Sequence, residues 1–519
     1  MTEEKTPTRN AVHRAYQQVG SAAGGEINPS DEYNIRLEKL EAIQKAKIDP
    51  YPAKTSDRSF VATVLKDFAE LEEKQKDVSL AGRIRNIRLH GGSCFINIQD
   101  DSGKIQAYIK KDEVGAKEYE RFTDFYDVGD YVYLTGKLFV TKKEEKTLLV
   151  KKFILLSKAL LPLPEKWHGL SDIEIRFRKR YLDLIANEEV RAVFETRSKT
   201  IKFIRQYFDN LGFTEVETPI LQSMAGGAIA KPFITHHNAL DTDLYLRVAP
   251  EIYLKKLIVG GYERVYEIAR CFRNEGIDHA HNPEFTQIEF YWAYQDYQQL
   301  MVFFENFLSE LIKEIAGDYK ITYDENEYDF QPPFPRLDFK EEIKKRCKLD
   351  IDQFKTKFEL KDEVEKLGIK TEKEWGRGKM LDELYKKYIR EEEAGPFFII
   401  NHPIELSPLA KKLDNNEDYV QRFQCVVAGY EIANAFSELN DPADQDQRFK
   451  DQAQLKDEGD DEASDYDAEF VEALKYGMPP TSGLGMGIDR VVQLLTNQHN
   501  IKEVILFPTL KPKTDNKED

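Results

Sequence analysis

The sequence predicts an α+β protein: a small five-stranded barrel, then a much larger mixed domain. Three observations predict it. From residue 78 onward, five short segments with strand alternation follow one another within about 80 residues. A Pro-punctuated stretch, "LPLPEKWHGL" (161–170), then interrupts the pattern. Beyond it, strand-like and helix-like segments alternate to about residue 510.

The 519 residues suffice for more than one domain and at least one large core. Composition is globular, 41% hydrophobic and 32% charged. No run approaches the roughly 20 apolar residues that cross a bilayer, so no membrane association is expected. The start, "MTEEKTPTRN", has no apolar stretch of the kind a secretory signal needs. Cys94, Cys271, Cys347 and Cys425 are scattered, which argues against a disulfide framework or zinc site and for a reducing, cytoplasmic compartment. The net charge of -18 argues against a nonspecific nucleic-acid binder. Charge is unevenly spread, however: residues 81–180 hold 20 Lys+Arg against 14 Asp+Glu, and acid concentrates later, as in "KDEGDDEASDYD" (456–467). A basic module on an acidic body can still bind nucleic acid locally.

The first 75 residues read as an extension. Residues 1 to about 30, with "GSAAGGE", are polar and expected to be mobile. "YNIRLEKLEAIQKAKID" places Leu37, Leu40, Ile43 and Ala46 on one helical face, and "PYP" (50–52) is expected to end that helix. Residues 76–160 form the barrel. "VSLAGRIRNIRL", "CFINIQD", "KIQAYIK", "DYVYLTGKLFV" and "TLLVKKFILLSK" read as its strands, with "DDSG" as a tight turn and a helical stretch near "EVGAKEYERF" after the third. That interruption favours an OB-type barrel over an SH3-like one. Residues 161–180 are the linker. The large domain, 181–512, opens on a long helix in which Val190, Val193, Phe194, Arg197, Ile201, Ile204, Phe208 and Leu211 recur in steps of three and four, capped by Gly212. "TEVETPIL" reads as a strand closing on Pro219. Residues 315–395 are rich in Lys and Glu and read as a helical insertion; 513–519 is expected to be a disordered tail.

Three constellations carry chemistry. "ERVYEIARCFRNE" and "EFTQIEFYWAY" read as strands flanking "GIDHAHNP". Alternation puts Arg273 and Glu275 on one face of the first and Phe285, Gln287, Glu289 and Tyr291 on a common face of the second, so one antiparallel pair can present a guanidinium, two carboxylates, a phenol and an aromatic ring. Arg273 can fork onto a phosphate or carboxylate, although a lone Arg-Glu pair is more often a surface salt bridge. In "TSGLGMGIDRVVQLLTN" alternating glycines precede a helix with Asp489 and Arg490 in its first turn, a place where backbone approaches a ligand and anions are favoured. In "GYEIANAFSELNDP", Asn434, Phe436 and Glu438 share parity; Glu431 does not. "HAH" (279–281) and "THH" (235–237) lack a second ligand cluster at zinc spacing.

These residues carry a resemblance. The FRNE-loop-HNPEF pattern followed by GLGMGIDR resembles motifs 2 and 3 of class II aminoacyl-tRNA synthetases, and "FTEVETPIL" resembles motif 1, their dimer-forming element. "MAGGAIAKPFITHHNALDTDLYLRVAPEIYLKKLIVGG", "EIANAFSELNDP" and the linker through "RFRKRYLDLI" are similar to the lysine-specific, OB-bearing branch of that class. The resemblance implies a catalytic domain built on a mostly antiparallel sheet flanked by helices, a homodimer, and substrates L-lysine, ATP and tRNA(Lys). It implies that Arg273 holds the amino-acid carboxylate and the ATP α-phosphate. Glu275, His281 and Asn282 would contact ATP, Phe285 would stack on adenine, and Arg490 would meet the γ-phosphate above Gly485 and Gly487. Glu251 would take the α-amino group, beside Gly227; Tyr291 and Glu438 would take the ε-ammonium, with Glu289, Asn434 and Phe436 supporting. Glu431 would bind Mg²⁺. On the barrel, Arg88, Phe95 and Gln106 would meet the anticodon, Phe95 by stacking, where ordinary sheet packing is the alternative. Two aspartate- or asparagine-specific branches, and a protein-modifying paralogue, are the competing readings; acidic Glu251, Glu289 and Glu438 and the barrel itself weigh against them.

The chain also departs from the pattern. Gln424 stands where relatives usually carry a metal-binding Glu, and a neutral amide binds Mg²⁺ more weakly. Ala225 precedes "GGA" where bacterial relatives often have Pro, and an Arg common at the anticodon face aligns with Ile87, next to Arg88.

Overall fold

A computed structural model describes residues 29–164, 170–224, 226–228, 230–372, 375–457 and 466–512. The expected mobile stretch 1–28, Ala225 and the expected tail 513–519 lie outside the described residues. The chain divides into two compact units, 1–169 and 170–519.

The first unit is a closed barrel. Its strands are β1 (Val78–His90), β2 (Ser93–Gln99), β3 (Lys104–Lys110), β4 (Tyr131–Val140) and β5 (Lys146–Ser157), ordered β1-β2-β3-β5-β4 and closing on β1. Only β3 and β5 run parallel. This is the OB arrangement, and closure leaves no open edge. Leu80, Ile84, Ile96, Ile98, Ile109, Leu134, Leu148 and Val150 fill it. At Gly136 the β4-β5 pairing bulges, and a side chain there would strike the Leu149 carbonyl. The helical interruption is split by Gly115 (φ +87) into Lys111–Val114 and Ala116–Phe125. The "DDSG" turn is fastened by Asp100, whose Oδ1 accepts from the Ser102 and Gly103 amides at 2.8 and 3.0 Å.

The N-terminal helix, Pro29–Lys45, stops earlier than expected. Lys47 adopts a left-handed conformation (φ +55), so the chain turns before the prolines, and Ala46 is exposed. Ile43 is buried as expected. Arg36 is buried as well: its guanidinium donates to the carbonyls of Val128 (3.0 Å), Ala159 (3.1 Å) and Leu161 (3.3 Å). A hydrophobic-face reading misses such an anchor.

The second unit is built on a nine-stranded sheet. From one edge it runs Arg336–Asp338, Phe397–Pro403, Asn416–Val427, Tyr430–Ser437, Thr481–Gly487, Glu284–Ala293, Arg264–Phe272 and Thr214–Glu215, with Lys412–Leu413 appended to Asn416–Val427. Pairing is antiparallel except at the two ends, where the short strands run parallel. Strand alternation sends Ile288, Phe290, Leu484, Met486 and Ala435 to one face, where they pack with Ile204 and Phe208 of helix Glu188–Asn210, Phe304 and Leu308 of helix Tyr297–Ala316, and Val492 of helix Ile488–Leu495. Asp296 and Gln299 form a reciprocal cap on Tyr297–Ala316, and Gly317 (φ +86) ends it. The opposite face is left for polar groups.

Two expected elements differ. "TEVETPIL" pairs only at Thr214–Glu215; after Pro219, which has no N–H to donate, Leu221–Gln222 joins a separate three-stranded sheet with Thr242–Leu246 and Ile234–His237. Residues 315–395 are not purely helical. They begin with a hairpin, Lys320–Tyr323 and Asn326–Asp329, and supply the edge strand Arg336–Asp338 before helices Phe339–Cys347, Lys357–Lys366 and Arg377–Tyr385. Phe339, Ile343, Leu381 and Leu384 of this segment share a core with Phe397, Ile399 and Val426 of the sheet.

Candidate active site

The polar face of the sheet is set by register. Gln424, Asn434, Gly485, Glu289 and Glu267 stand opposite one another across five adjacent strands. The next row is Arg422, Phe436, Gly483, Tyr291 and Val265. The three alternating glycines therefore run between two strands of functional side chains. At Gly483 even a Cβ would overlap the Tyr291 ring and the Glu438 carboxylate. Glycine there keeps a floor open between walls.

One end of this face is acidic. Glu251, Glu289 and Glu438 are all buried, at 7%, 6% and 2% exposure. Glu289 accepts from Gln287 Nε2 at 2.6 Å, and its Oε2 has no hydrogen-bond partner among the described residues. Glu251 opens helix Glu251–Val259, and Gly227 (φ +90) presses so closely on it that an added Cβ would lie 2.9 Å from the Glu251 Cβ. Glu267, across from Glu289, is already satisfied: Arg247 pairs with it at 2.5 Å and Thr218 donates to it at 2.7 Å. Burial, then the Glu251 charge, pushes the Glu289 carboxyl well above the usual range. Burial lifts Glu438 to about 8, although the Lys255 ammonium pulls it down.

The other end is cationic. Arg273 follows the strand end, its amide still donating to the Pro283 carbonyl at 2.9 Å. Its guanidinium lies 4.9 Å from the centre of the Phe285 ring, with a buried Nε that has no partner among the described residues. Arg490 donates to the Glu431 carbonyl at 2.5 Å and comes within 3.5 Å of His281 Nε2. Arg390, at the end of the segment that follows helix Arg377–Tyr385, also has a buried, unpartnered Nε among the described residues, and its charge bears on Arg490. The start of the Arg490 helix is locked in place: Asp489 accepts from the Thr286 amide at 2.8 Å and pairs with Arg197, which donates to Thr286 Oγ1 at 3.0 Å. Asn282 is buried, its amide donating to the Glu284 carbonyl at 2.6 Å while its Oδ1 has no partner among the described residues.

Glu431 lies among these cations. Its parity is wrong for a regular strand, but a β-bulge advances one strand by two residues: Cys425 pairs with Ala433 and Val426 with Glu431. Ile432 takes the core side, and Glu431 turns to the Gln424 side, accepting from Gln424 Nε2 at 2.9 Å. Asn434 is held by Arg422, which donates to its Oδ1 at 2.8 Å.

On the barrel, another bulge decides the geometry. The register shifts between Ile84 and Asn86, so Ile87 pairs with core-facing Ile96 and Arg88 with outward-facing Phe95. Arg88, and not Ile87, thus shares the Phe95 face. Phe95 stacks on Tyr108 with ring centres 4.4 Å apart. Gln106 is 5% exposed and its oxygen accepts from Thr147 at 3.1 Å.

Comparison with known proteins agrees in extent. The class II tRNA synthetases (D, K and N) match residues 172–511, and the OB-fold nucleic acid binding domain matches 78–156. A lysine–tRNA ligase of Moorella thermoacetica is 47% identical over 486 residues, 94% of this chain and 99% of that protein. Those of Magnetococcus marinus and a Roseiflexus species are each 48% identical over 92% of this chain, covering 96% and 98% of their own lengths. The chain belongs to the class II lysine–tRNA ligase family. The barrel and the mostly antiparallel sheet are therefore those of the family the sequence resembles.

Set against that family, the face gathers most residues the sequence singled out: Phe285, Glu289, Tyr291, Asn434, Phe436, Gly485 and Gly487 by register, Arg273 and Glu438 just past strand ends, Arg490 from the helix after Gly487, and Glu251 and Gly227 from neighbouring segments. Glu275 is not among them. The strand ends at Phe272, so alternation does not carry to Glu275, which is exposed in the loop. Sequence reasoning missed Lys255, Arg390 and Tyr108. Tyr108 was legible as the strand neighbour of Phe95; Lys255, in the amphipathic "EIYLKKLIV", and Arg390, in the charged "YKKYIREEE", looked like two more surface cations.

Proposed function

We propose that this protein is a lysine–tRNA ligase that joins L-lysine to ATP, releasing pyrophosphate, and then passes lysine from the adenylate to the 3' end of tRNA(Lys). The observation that carries the proposal is the charge division of one sheet face: three buried carboxylates at one end, guanidiniums at the other, glycines between. A buried ammonium must be paired, so the acidic end suits a diamine; aspartate would need the opposite charge and asparagine a neutral site.

Arg273 holds the lysine carboxylate beside the α-phosphate, so the two reactants meet without a protein nucleophile. The carboxylate oxygen attacks the α-phosphorus in line as pyrophosphate leaves. Phe285 stacks the adenine, His281, Asn282 and Glu275 border the nucleotide, and Arg490 neutralises the outer phosphates. Positioning and charge stabilisation supply the acceleration. Glu251 takes the α-amino group; Glu438 and Tyr291 take the ε-ammonium, supported by Glu289, Asn434 and Phe436. Among the described residues no group of three or more His, Cys, Asp or Glu could hold a metal. Glu431, with the buried amide oxygen of Gln424 beside it, would hold one Mg²⁺ against the phosphates. Such an ion would shield the charge of the phosphates.

Arg88, Phe95 and Gln106 form the anticodon face, with Tyr108 under Phe95. Homodimerisation is supported by the motif 1 resemblance and by the exposure of Ile220, Leu221, Ile234 and Leu240 in and after it, at 43–68%. No helix among the described residues is long and apolar enough to cross a membrane; action in the cytoplasm is supported by the translation role of the relatives. An amino-acid panel in ATP–pyrophosphate exchange tests the proposal: exchange should depend on L-lysine and collapse in Arg273→Ala. Exchange driven by another amino acid, or intact in that variant, would refute it.

A further inference from the structure

Lys255 lies inside the acidic end of the pocket. It follows Glu251 by one helical turn, and its side chain is 1% exposed. Its ammonium is 2.6 Å from Glu251 Oε1 and is paired with Glu438 Oε2. The rings of Phe436 and Phe470 lie 5.2 and 5.8 Å from it and keep water away. A pocket for an ammonium group thus already contains one, bound to two of the carboxylates assigned to the substrate.

Charge explains its presence. Glu251, Glu289 and Glu438 contribute three negative charges when ionised. Glu267 is cancelled by Arg247. Arg273 serves the carboxylate of the substrate. With Lys255 the pocket presents two net negative charges, the number that a substrate with two ammonium groups neutralises. Without it, one carboxylate would stay uncompensated in a buried site, which is costly and is relieved by taking up a proton. Geometry gives it a second task. It ties Glu251, assigned to the α-amino end, to Glu438, assigned to the ε end, so their relative placement is fixed before substrate arrives.

We infer that Lys255 is a positioning and specificity-determining residue: its ammonium balances one of three buried carboxylates and braces Glu251 against Glu438, tuning the pocket to a diamine. This rests on the lysine-activating role proposed above. The position of the Glu438 carboxyl supports it: burial lifts it to about 8 while the Lys255 ammonium holds it down, so a second ammonium arriving beside it displaces the proton it still carries. The groups that set this balance are Glu251, Glu289, Glu438, Glu267, Tyr291, Lys255, Arg247 and Arg273.

Calorimetry of the full-length protein tests it, in buffers of different ionisation enthalpy and over pH 6 to 9. Lys255→Met should weaken L-lysine binding roughly thirty-fold or more, the loss expected when one member of a buried charge cluster is removed. The pH midpoint of lysine binding should move upward, ATP affinity should hold, and Lys255→Arg should return the midpoint toward wild type. A residue that only supported the fold would lower both affinities and leave the midpoint in place. Wild-type protein provides a test that needs no variant. L-lysine should displace about one proton more than 6-hydroxynorleucine, which has one ammonium group fewer. Equal proton release for the two ligands, or a Lys255→Met protein with unchanged lysine affinity and midpoint, overturns the inference. Failure of wild-type protein to bind L-lysine at all would instead overturn the proposed function.

Discussion

Replacing Gly483 by alanine probes the pocket with one methyl group. None of Gly483, Gly485 and Gly487 occupies the left-handed region, so alanine is compatible with the backbone at each, and only the space differs. At Gly483 the new Cβ would overlap two buried groups, the Tyr291 ring and the Glu438 carboxylate. At Gly485 it would lie 3.4 Å from Glu289 Cγ, and at Gly487 3.7 Å from Arg490 Cδ, both within ordinary contact. Forcing a methyl group into a packed site costs about 1–3 kcal/mol, so if that strain falls on substrate binding the lysine KM of Gly483→Ala rises about 5- to 150-fold. Gly485→Ala should have a small effect and Gly487→Ala almost none on lysine. ATP–pyrophosphate exchange, with lysine and ATP varied separately and thermal unfolding measured alongside, separates the steric effect from loss of fold. Equal lysine KM in the Gly483 and Gly487 variants would refute the assignment of this row as the pocket floor.

Three further outcomes follow from the same geometry. Phe95→Ala should lower kcat/KM for tRNA(Lys) by about the worth of one base–aromatic stack, 1–3 kcal/mol, while exchange keeps its wild-type rate; a parallel fall in both would show that the barrel face is not a separate recognition surface. Gln424→Glu adds a carboxylate beside Glu431 and should lower the Mg²⁺ concentration that half-saturates exchange severalfold; an unchanged Mg²⁺ titration counts against Gln424 as a weakened metal position. Because Glu438 is raised in the folded protein to about 8 from an ordinary value near 4.5, the ligand-free protein binds more protons folded than unfolded, and its Tm should fall as pH rises from about 5 to 8. Saturating L-lysine should flatten that slope, and a flat profile without ligand would remove Glu438 as its source.

Much of this was legible in the chain, and the misses share a cause. Period-two alternation placed Phe285, Gln287, Glu289 and Tyr291 together because that strand is regular for ten residues. The same rule does not bring Glu431 to them, because a β-bulge shifts parity by one there, and a second bulge ahead of Ile87 sets Arg88 on the Phe95 face. A bulge leaves little trace in a sequence unless glycine marks it, and neither of these is marked. At Glu275 the limit is the opposite one: the strand stops at Phe272, so alternation carries no information about the direction of that side chain. The hairpin and edge strand within 315–395 were hidden by charge, since "KITY" and "NEYD" are too short and polar to show a period. Lys255 was overlooked because a lysine in a helix is ordinarily a solvated residue; only the fold reveals that its neighbours are two carboxylates and two rings.

That last case shows why opposite charges can share one small face. Carboxylates and phosphates brought together without separation would repel, and the pocket would lose the nucleotide as fast as it gained lysine. Here the rows of the sheet keep the two apart by geometry that cannot relax: register fixes Glu289 and Tyr291 opposite glycines, while Arg490 is fixed by Asp489 and Arg197 to the strand that carries Thr286. Arg273 sits just past the end of the neighbouring strand Arg264–Phe272, where it can serve both ligands. The backbone therefore performs the charge separation, and the side chains need only be of the right sign. On this reasoning, loosening the Asp489–Arg197 anchor should damage ATP binding before lysine binding, although neither residue is assigned to the nucleotide.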